Sequence, residues 1–359
     1  MRHRSRPGMI GGEVRIGGRS VGEGSPTFVV AEAGVNHNGD LDLARRLVDA
    51  AAAAGADAVK FQTFRTDALV TRDAPKAGYQ SETTGDGGQR AMLVSLELSA
   101  GAHADLRDRS RDRGLVFFSA PFDEGSADLL DQVGVALFKV PSGEITNLPL
   151  LRHVAAKRRP IILSTGMSTL DEVARAVEVV RAAGDPPLAL LHCVSAYPAP
   201  ADETNLRAMD TLRARFGCPV GLSDHTLGTA VAIAAVARGA AIIEKHLTLD
   251  KALAGPDHRA SLDPGEFAAL VRSIREVESA LGDGDKRPTR SEADTRRVAR
   301  KSLVAARPIR AGERLVAADV VVKRPGTGIE PGDLARVIGR AVLRDLAADD
   351  LISWEALAP

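Results

Sequence analysis

The sequence predicts a TIM (β/α)8 barrel followed by a small, mostly β C-terminal domain. Three observations carry that reading. Between Phe28 and Gly282, eight short apolar or β-branched runs alternate with longer segments of helical spacing, the rhythm of a parallel sheet with crossover helices. The turn after the first run lacks the GxGxxG on which a doubly wound dinucleotide-binding sheet would open. The length of 359 residues leaves room for a satellite beyond a barrel of ~250 residues.

Each strand has its own signature. FVVAEAG (28 to 34), DAVKFQTF (57 to 64), LVFFSAP (115 to 121) and ALFKVPS (136 to 142) form the first half of the ring. PIILSTG (160 to 166), LALLHCVS (188 to 195), PVGLSD (219 to 224) and AIIEKHLT (241 to 248) form the second. The stretches between them, such as LDLARRLVDAAAAAG and LDEVARAVEVVRAAG, carry Leu, Ala and Val at helical spacing and end on Gly, a helix C-terminal signal. From Gly282 to Arg300 the apolar period gives way to Gly, Pro and charge, which marks a linker. KSLVAARPI, RLVAADVVVKRPGTG, IGRAVLRDL and LISWEAL then supply short strand-like runs. The predicted division is an N-terminal extension over 1–25, a barrel over 26–284, a linker over 285–298 and a β domain over 299–359.

Composition narrows the function. Lys+Arg and Asp+Glu both number 47, so the formal net charge of +0 argues against a nucleic-acid binder that works by bulk electrostatics. With only 3% aromatic residues, base-stacking platforms and broad aromatic sugar grooves are excluded, and recognition falls to small polar and charged groups. Cys193 and Cys218 are too few for a disulfide framework and neither sits in a CxxC, which fits a reducing, cytoplasmic setting. The opening MRHRSRPGMIGG has no apolar stretch behind its basic residues, and no run reaches the ~18 apolar residues a bilayer span requires. Neither an export signal nor a membrane span is expected.

In a TIM barrel the side chains at the C-terminal strand ends converge on one mouth. Those ends carry, in order, Glu32, Lys60 with Gln62, Ser119, then Lys139 with Ser142 and Glu144, and Ser164 with Thr165. Ser195 with Tyr197, Ser223 with Asp224 and His225, and Glu244 with Lys245 and His246 complete the ring. Packing does not explain apolar strands that all finish in ionisable or hydroxyl groups, because a buried charge without a partner is costly. Two lysines, hydroxyls and Gly-adjacent backbone describe a cradle for a small phosphorylated or carboxylated anion. The competing reading is internal salt bridges from Lys60 and Lys139 to Glu32, Glu144 or Glu244. His225 and His246, just beyond neighbouring strands, can reach one divalent cation, and their oxygen-rich surroundings suit Mn²⁺, Fe²⁺, Co²⁺ or Zn²⁺. His192 and Cys193, within a strand, read as structural, and NHNG (36 to 39) reads as a turn close to the mouth.

The motifs AEAGVNHNGD, DAVKFQTF, FFSAPFD, FKVPSGE, ILSTGMST, GLSDHT, EKHLT and GPDH occur in that order and are followed by RPGTG. From about Phe28 onward the chain closely resembles the sialic acid (N-acetylneuraminate) synthase family, which includes legionaminic and pseudaminic acid synthases. The resemblance implies a TIM barrel fused to a small SAF-like domain similar to type III antifreeze protein. It further implies condensation of phosphoenolpyruvate with an N-acylated mannosamine-type sugar, release of phosphate and use of a divalent metal, Mn²⁺ first, with Mg²⁺ or Co²⁺ possible. His225 and His246 would bind the metal. Lys60, Gln62, Ser119, Lys139, Ser142, Ser164 and Ser223 would hold phosphoenolpyruvate, while Glu32, Glu144, Tyr197 and Asp257 would face the sugar or serve acid/base steps, with Glu144 the first choice for acid/base work and Glu32 the second. A domain-swapped homodimer is implied, in which Arg324 of RPGTG reaches the partner's mouth. One departure stands out. No Asn lies between Lys60 and Ser119, where APKAGYQ (74 to 80) takes its place, and Ser195 stands where such enzymes often carry Asn, so the acyl sugar is left open.

The nearest rival is the same chemistry on a diacetamido-trideoxyhexose, giving legionaminic or pseudaminic acid. A metal-dependent barrel hydrolase would commonly show HxH on the first strand, where this chain has AEAG. A non-catalytic sugar-binding protein would have no need of two lysines, two histidines and several acids together.

Overall fold

The computed structural model describes residues 12–85 and 87–359. Residues 1–11, the first part of the predicted N-terminal extension, lie outside the described residues. Two compact units divide the chain, the first ending at Gly282 and the second running from Asp283 to Pro359.

In the first unit a short antiparallel hairpin, β1 (Val14–Ile16) and β2 (Arg19–Val21), precedes the main sheet. Eight parallel strands follow: β3 (Phe28–Gly34), β4 (Ala58–Thr63), β5 (Val116–Pro121), β6 (Phe138–Val140), β7 (Ile161–Ser164), β8 (Leu188–Cys193), β9 (Val220–Asp224) and β10 (Ile242–His246). They pair in sequence, and β10 returns to β3 to close the barrel. Every predicted run contains its strand.

Strand alternation divides the apolar residues into two layers. Val29, Val59, Phe61, Phe117, Leu163 and Ile243 face outward and pack against the helices. Phe28, Val30, Ala58, Phe118, Leu137, Ile162, Leu191 and Ile242 fill the barrel interior. The hairpin closes the N-terminal end of that interior, burying Val14, Ile16 and Val21 in the same cluster. At about 1.5–3 kcal/mol for each fully buried aliphatic side chain, this plug is a substantial part of the barrel floor. These residues fall within the expected N-terminal extension, because three-residue strands are too short to register a period.

The outer helices are fixed by side-chain caps and one apolar face. In the helix Leu41–Ala53, Asp40 accepts from the backbone N–H groups of Asp42 and Leu43, and Ala44, Leu47, Val48 and Ala51 turn inward at helical spacing. Thr169 with Glu172 and Asp263 with Glu266 form capping boxes on two further helices. No helix among the described residues is long and apolar enough to cross a membrane.

The second unit holds the antiparallel pair β11 (Ser302–Ala305) and β12 (Val320–Lys323) over its own core, which includes Leu303, Ile309, Leu315, Val337, Val342 and Ile352. The stretch predicted as a linker contains a helix, Ala293–Ala299, with no buried residue. A seven-residue helix with no buried face carries no apolar period, which is why spacing alone did not reveal it.

Candidate active site

The inward positions that are apolar low in the barrel become polar one alternation higher. Above Val30 comes Glu32, above Ala58 Lys60, above Leu137 Lys139, above Ile162 Ser164, and above Ile242 Glu244 then His246. These side chains line a cavity of about 450 Å³ at the C-terminal mouth, together with Gln62, Ser142, Ser195, Tyr197, Ser223, His225 and Asp257.

Four buried charges alternate across its floor. Lys60 Nζ lies 3.1 Å from Glu32 Oε1 and 3.4 Å from Glu244 Oε1, and Lys139 Nζ lies 3.8 Å from that same Glu244 oxygen. Lys139 also donates to Ser164 Oγ at 2.6 Å, Ser223 Oγ donates to Glu244 at 2.9 Å, and the Gln62 amide donates to Glu32 at 3.1 Å. Internal pairing, the competing reading of the lysines, is therefore present. It is incomplete, because Glu32 Oε2 and Glu244 Oε2 are buried with no partner among the described residues. Such orphaned oxygens are costly unless something else engages them.

The shared burial splits the acidities. Burial raises Glu32 to about 7, with Glu244 adding repulsion against the pull of Lys60. Glu244 is equally buried, yet the attraction of Lys139 and Lys60 outweighs desolvation and holds it below the usual carboxylate range. Burial pushes Lys139 down to about 8, whereas Lys60 is raised because Glu244 and Glu32 overcome its desolvation. One carboxyl that shares its proton at neutral pH beside one that stays ionised is the pattern of an acid/base pair.

Across the cavity the His225 and His246 rings lie 5.4 Å apart between centroids. His225 Nδ1 is 2.8 Å from the Val194 carbonyl, a bond that leaves Nε2 its lone pair. His246 Nδ1 is buried and unpartnered, 3.9 Å from Asp257 Oδ2. Burial, together with repulsion between the two imidazoles, keeps His246 well below the usual imidazole range, so it is neutral and able to ligate. Two imidazoles on one ion at ~2.1 Å per metal–nitrogen bond would place their centroids at roughly this separation. The donor set fits a divalent cation. Among the described residues no group of three or more His, Cys, Asp and Glu side chains encloses an ion alone, so substrate and water would complete the shell. Tyr197 packs its ring on His225 at 4.2 Å and edge-on to His246 at 5.7 Å. Asp257, on the loop after β10, is raised to about 6 by burial.

Four of the expected mouth residues stand outside the cavity lining. Ser119 lies on the outward face of β5, where its hydroxyl bonds Thr63 Oγ1 at 2.7 Å beneath His103, so it does not reach the cavity. Glu144 stands on the 3₁₀ turn Ser142–Glu144, half-buried, and accepts from Asn147 Nδ2 at 2.7 Å, so it does not line the cavity although Ser142 does. Asp224 and Lys245, read as mouth groups, face the helix layer instead. Arg324 is exposed on the second unit.

Five lining residues had no role assigned from the sequence. Cys193 lines the cavity with Sγ 3.8 Å from His225 Nδ1, and its inward parity with Leu191 could have shown it. Glu244, considered only as a salt-bridge partner, is the hub of the charge cluster. Gln80, Gln89 and Met92, from short helices after β4, also line the cavity, and nothing in their spacing marked them.

The NeuB family model matches residues 47–286 and the SAF domain model matches residues 300–358. The N,N'-diacetyllegionaminic acid synthase of Legionella pneumophila is 46% identical over 93% of this chain and 95% of its own length. The N-acetylneuraminate-9-phosphate synthase of Homo sapiens is 36% identical over 94% of each. Among solved structures, the N-acetylneuraminic acid synthetase of Leptospira borgpetersenii superposes with a TM-score of 0.69 at 36% identity, covering 79% of this chain and 95% of that one. A barrel with this charged mouth, matched over most of its length by these relatives, belongs to the NeuB family and carries a C-terminal SAF domain.

Proposed function

We propose that the chain is a nonulosonic acid synthase, an enzyme that condenses phosphoenolpyruvate with an N-acylated mannosamine-type sugar and releases phosphate. The observation that carries this reading is the buried Glu32–Lys60–Glu244–Lys139 cluster with its two unpartnered carboxylate oxygens, opposite two imidazoles. Lys60 and Lys139, with Ser142, Ser164, Ser223 and Gln62, hold the phosphate and carboxylate. The lysine charges offset the charge that grows on the departing phosphate. A divalent ion held by His225 and His246, Mn²⁺ first with Mg²⁺ or Co²⁺ as alternatives, supplies Lewis-acid polarisation of the sugar aldehyde.

C3 of phosphoenolpyruvate attacks the aldehyde carbon, the aldehyde oxygen takes a proton, and water adds at C2 and loses one. The C2–O bond to phosphate then breaks as the C2 hydroxyl becomes the ketone, its proton leaving with the phosphate. Glu32 is suited to pass the first proton from water to the aldehyde oxygen, since its acidity near neutrality lets it accept and donate with equal ease. Tyr197 and Asp257, both on the cavity wall, face the sugar. Arg324 acts from the partner subunit of a domain-swapped homodimer in a cytoplasmic enzyme, a reading supported by the family resemblance.

The greater identity to a legionaminic acid synthase, 46% against 36% for the N-acetylneuraminate-9-phosphate enzyme, favours a diacetamido-trideoxyhexose among these sugars. Phosphate release with phosphoenolpyruvate, Mn²⁺ and a sugar panel tests both levels. Release only with acylated mannosamine-type sugars supports the class, the sugar of highest kcat/KM names the substrate, and release independent of any sugar refutes the condensation.

A further inference from the structure

Directly behind the two imidazoles, on the opposite face of the same two strands, lies a second buried ion pair. Lys245 and Asp224 are register partners on β10 and β9, as are Glu244 and Ser223 one step earlier. Alternation sends Glu244, His246 and Ser223 inward and Lys245 and Asp224 outward, beneath the helices. Both are almost fully buried, at 1% and 2% exposure. Lys245 Nζ donates to Asp224 Oδ2 at 2.7 Å and also to the Thr226 carbonyl. The other carboxylate oxygen, Asp224 Oδ1, accepts from the Thr226 N–H at 2.9 Å and from its hydroxyl at 2.8 Å.

The connectivity gives this pair its meaning. Asp224 and Thr226 flank His225 in the chain, and the Asp224–Thr226 bonds close a ring around the His225 backbone. Lys245 precedes His246 and is tied to both sides of that ring. One ammonium thus links the backbone carrying one imidazole to the backbone carrying the other. A surface-facing pair would be screened and worth little, and a buried apolar pair would pack the same space without desolvating two charges. Neither would bond directionally to the turn on which His225 sits.

We infer that Lys245 and Asp224 are positioning residues that set the separation and orientation of His225 and His246, and so control affinity for a divalent cation. They touch neither substrate nor cation. This inference rests on the metal reading of the two histidines.

The test uses purified full-length protein freed of metal, titrated with Mn²⁺ by calorimetry, alongside melting temperature and phosphoenolpyruvate binding without metal. Asp224→Asn keeps an acceptor for Thr226 while removing the charge that anchors Lys245. The double variant Asp224→Asn/Lys245→Met removes both charges, so no lone ion is left buried if a single change prevents folding. Both should weaken Mn²⁺ binding at least tenfold, leave phosphoenolpyruvate affinity within about twofold, and do so even where the double variant melts like the wild type. Variants that melt lower yet bind Mn²⁺ with unchanged affinity would assign the pair a merely structural role and overturn the inference. His225→Ala is the control: if wild type binds Mn²⁺ and this variant binds it equally well, the metal reading falls and takes the inference with it. Loss in His225→Ala with full retention in both pair variants sinks the inference alone.

Discussion

Replacing Lys139 with Met removes one charge from the cavity floor while keeping much of its volume. Lys139 Nζ bonds Ser164 Oγ at 2.6 Å and lies 3.8 Å from Glu244, which keeps Lys60 at 3.4 Å and Ser223 at 2.9 Å. Glu244 is therefore not stranded, and the main loss is the Ser164 contact, about 1–3 kcal/mol of stability. Binding is affected more selectively. A charge-assisted contact to phosphate or carboxylate is worth about 1.5–3 kcal/mol, so the dissociation constant for phosphoenolpyruvate should rise roughly ten- to hundredfold. The sugar KM should stay within about twofold. Burial sets Lys139 near 8, so in the wild type kcat/KM for phosphoenolpyruvate falls as pH rises through about 8, where the ammonium loses its proton. That limb should vanish in Lys139→Met. Steady-state kinetics with each substrate varied across pH 6.5 to 9 gives both readouts. A variant whose sugar KM rises while phosphoenolpyruvate affinity holds, or which keeps the limb near 8, would refute the assignment of Lys139 to the anion.

His225→Ala and His246→Ala each give up a buried ring packed on Tyr197, so they should stay folded while melting below the wild type, and should lose bound Mn²⁺ and turnover together by metal analysis and assay; normal metal content in both would remove the ligand assignment. His37 is buried at 0% exposure and burial lowers it to about 4, so it stays neutral in the folded chain down to that pH. Its contribution is intact above the unfolded value of about 6.5 and declines as pH falls from there to about 4, by about 3 kcal/mol in all. Urea titrations at pH 7.5 and 4.5 should therefore show a smaller stability difference in His37→Gln than in the wild type. Glu32→Gln should lower kcat at least hundredfold while phosphoenolpyruvate still binds, and rapid turnover in that variant would shift the proton relay elsewhere. Mixing inactive Arg324→Ala and Glu32→Gln proteins should restore partial activity through one intact composite site, with subunit exchange verified by mass; an inactive exchanged mixture would place Arg324 outside the partner's site.

Strand position was legible because each barrel strand is a concentrated apolar run between Gly, Pro and polar turns, so the eight ends and their ionisable residues could be read in order. Which of those residues reach the cavity depends on strand parity. Lys60 shares the inward face of Ala58, and Lys139 that of Leu137, whereas Ser119 shares the outward face of Phe117. The same rule exposes Cys193 as inward and Asp224 and Lys245 as outward. Glu144 could not be decided that way, since it stands on a 3₁₀ turn where a two-residue period has no force. The wall supplied by Gln80, Gln89 and Met92 depends on how short helices fold back over the mouth, a tertiary outcome with no local signature. The β1–β2 plug and the helix Ala293–Ala299 escaped for related reasons, one made of three-residue strands and the other of seven residues with no buried face, so neither shows a period.

Carbon–carbon bond formation with water adding at C2 requires the bond between C2 and the bridging oxygen of phosphoenolpyruvate to break. The most direct measurement is therefore turnover of phosphoenolpyruvate labelled with ¹⁸O at the bridging position, with Mn²⁺ and the best acylated sugar, followed by mass analysis of both products. Condensation at this mouth puts the label in inorganic phosphate and yields an acidic product whose mass is that of the sugar plus pyruvate. Label retained in free pyruvate, with the sugar recovered unchanged, would mean phosphorus–oxygen cleavage and contradict the synthase reading.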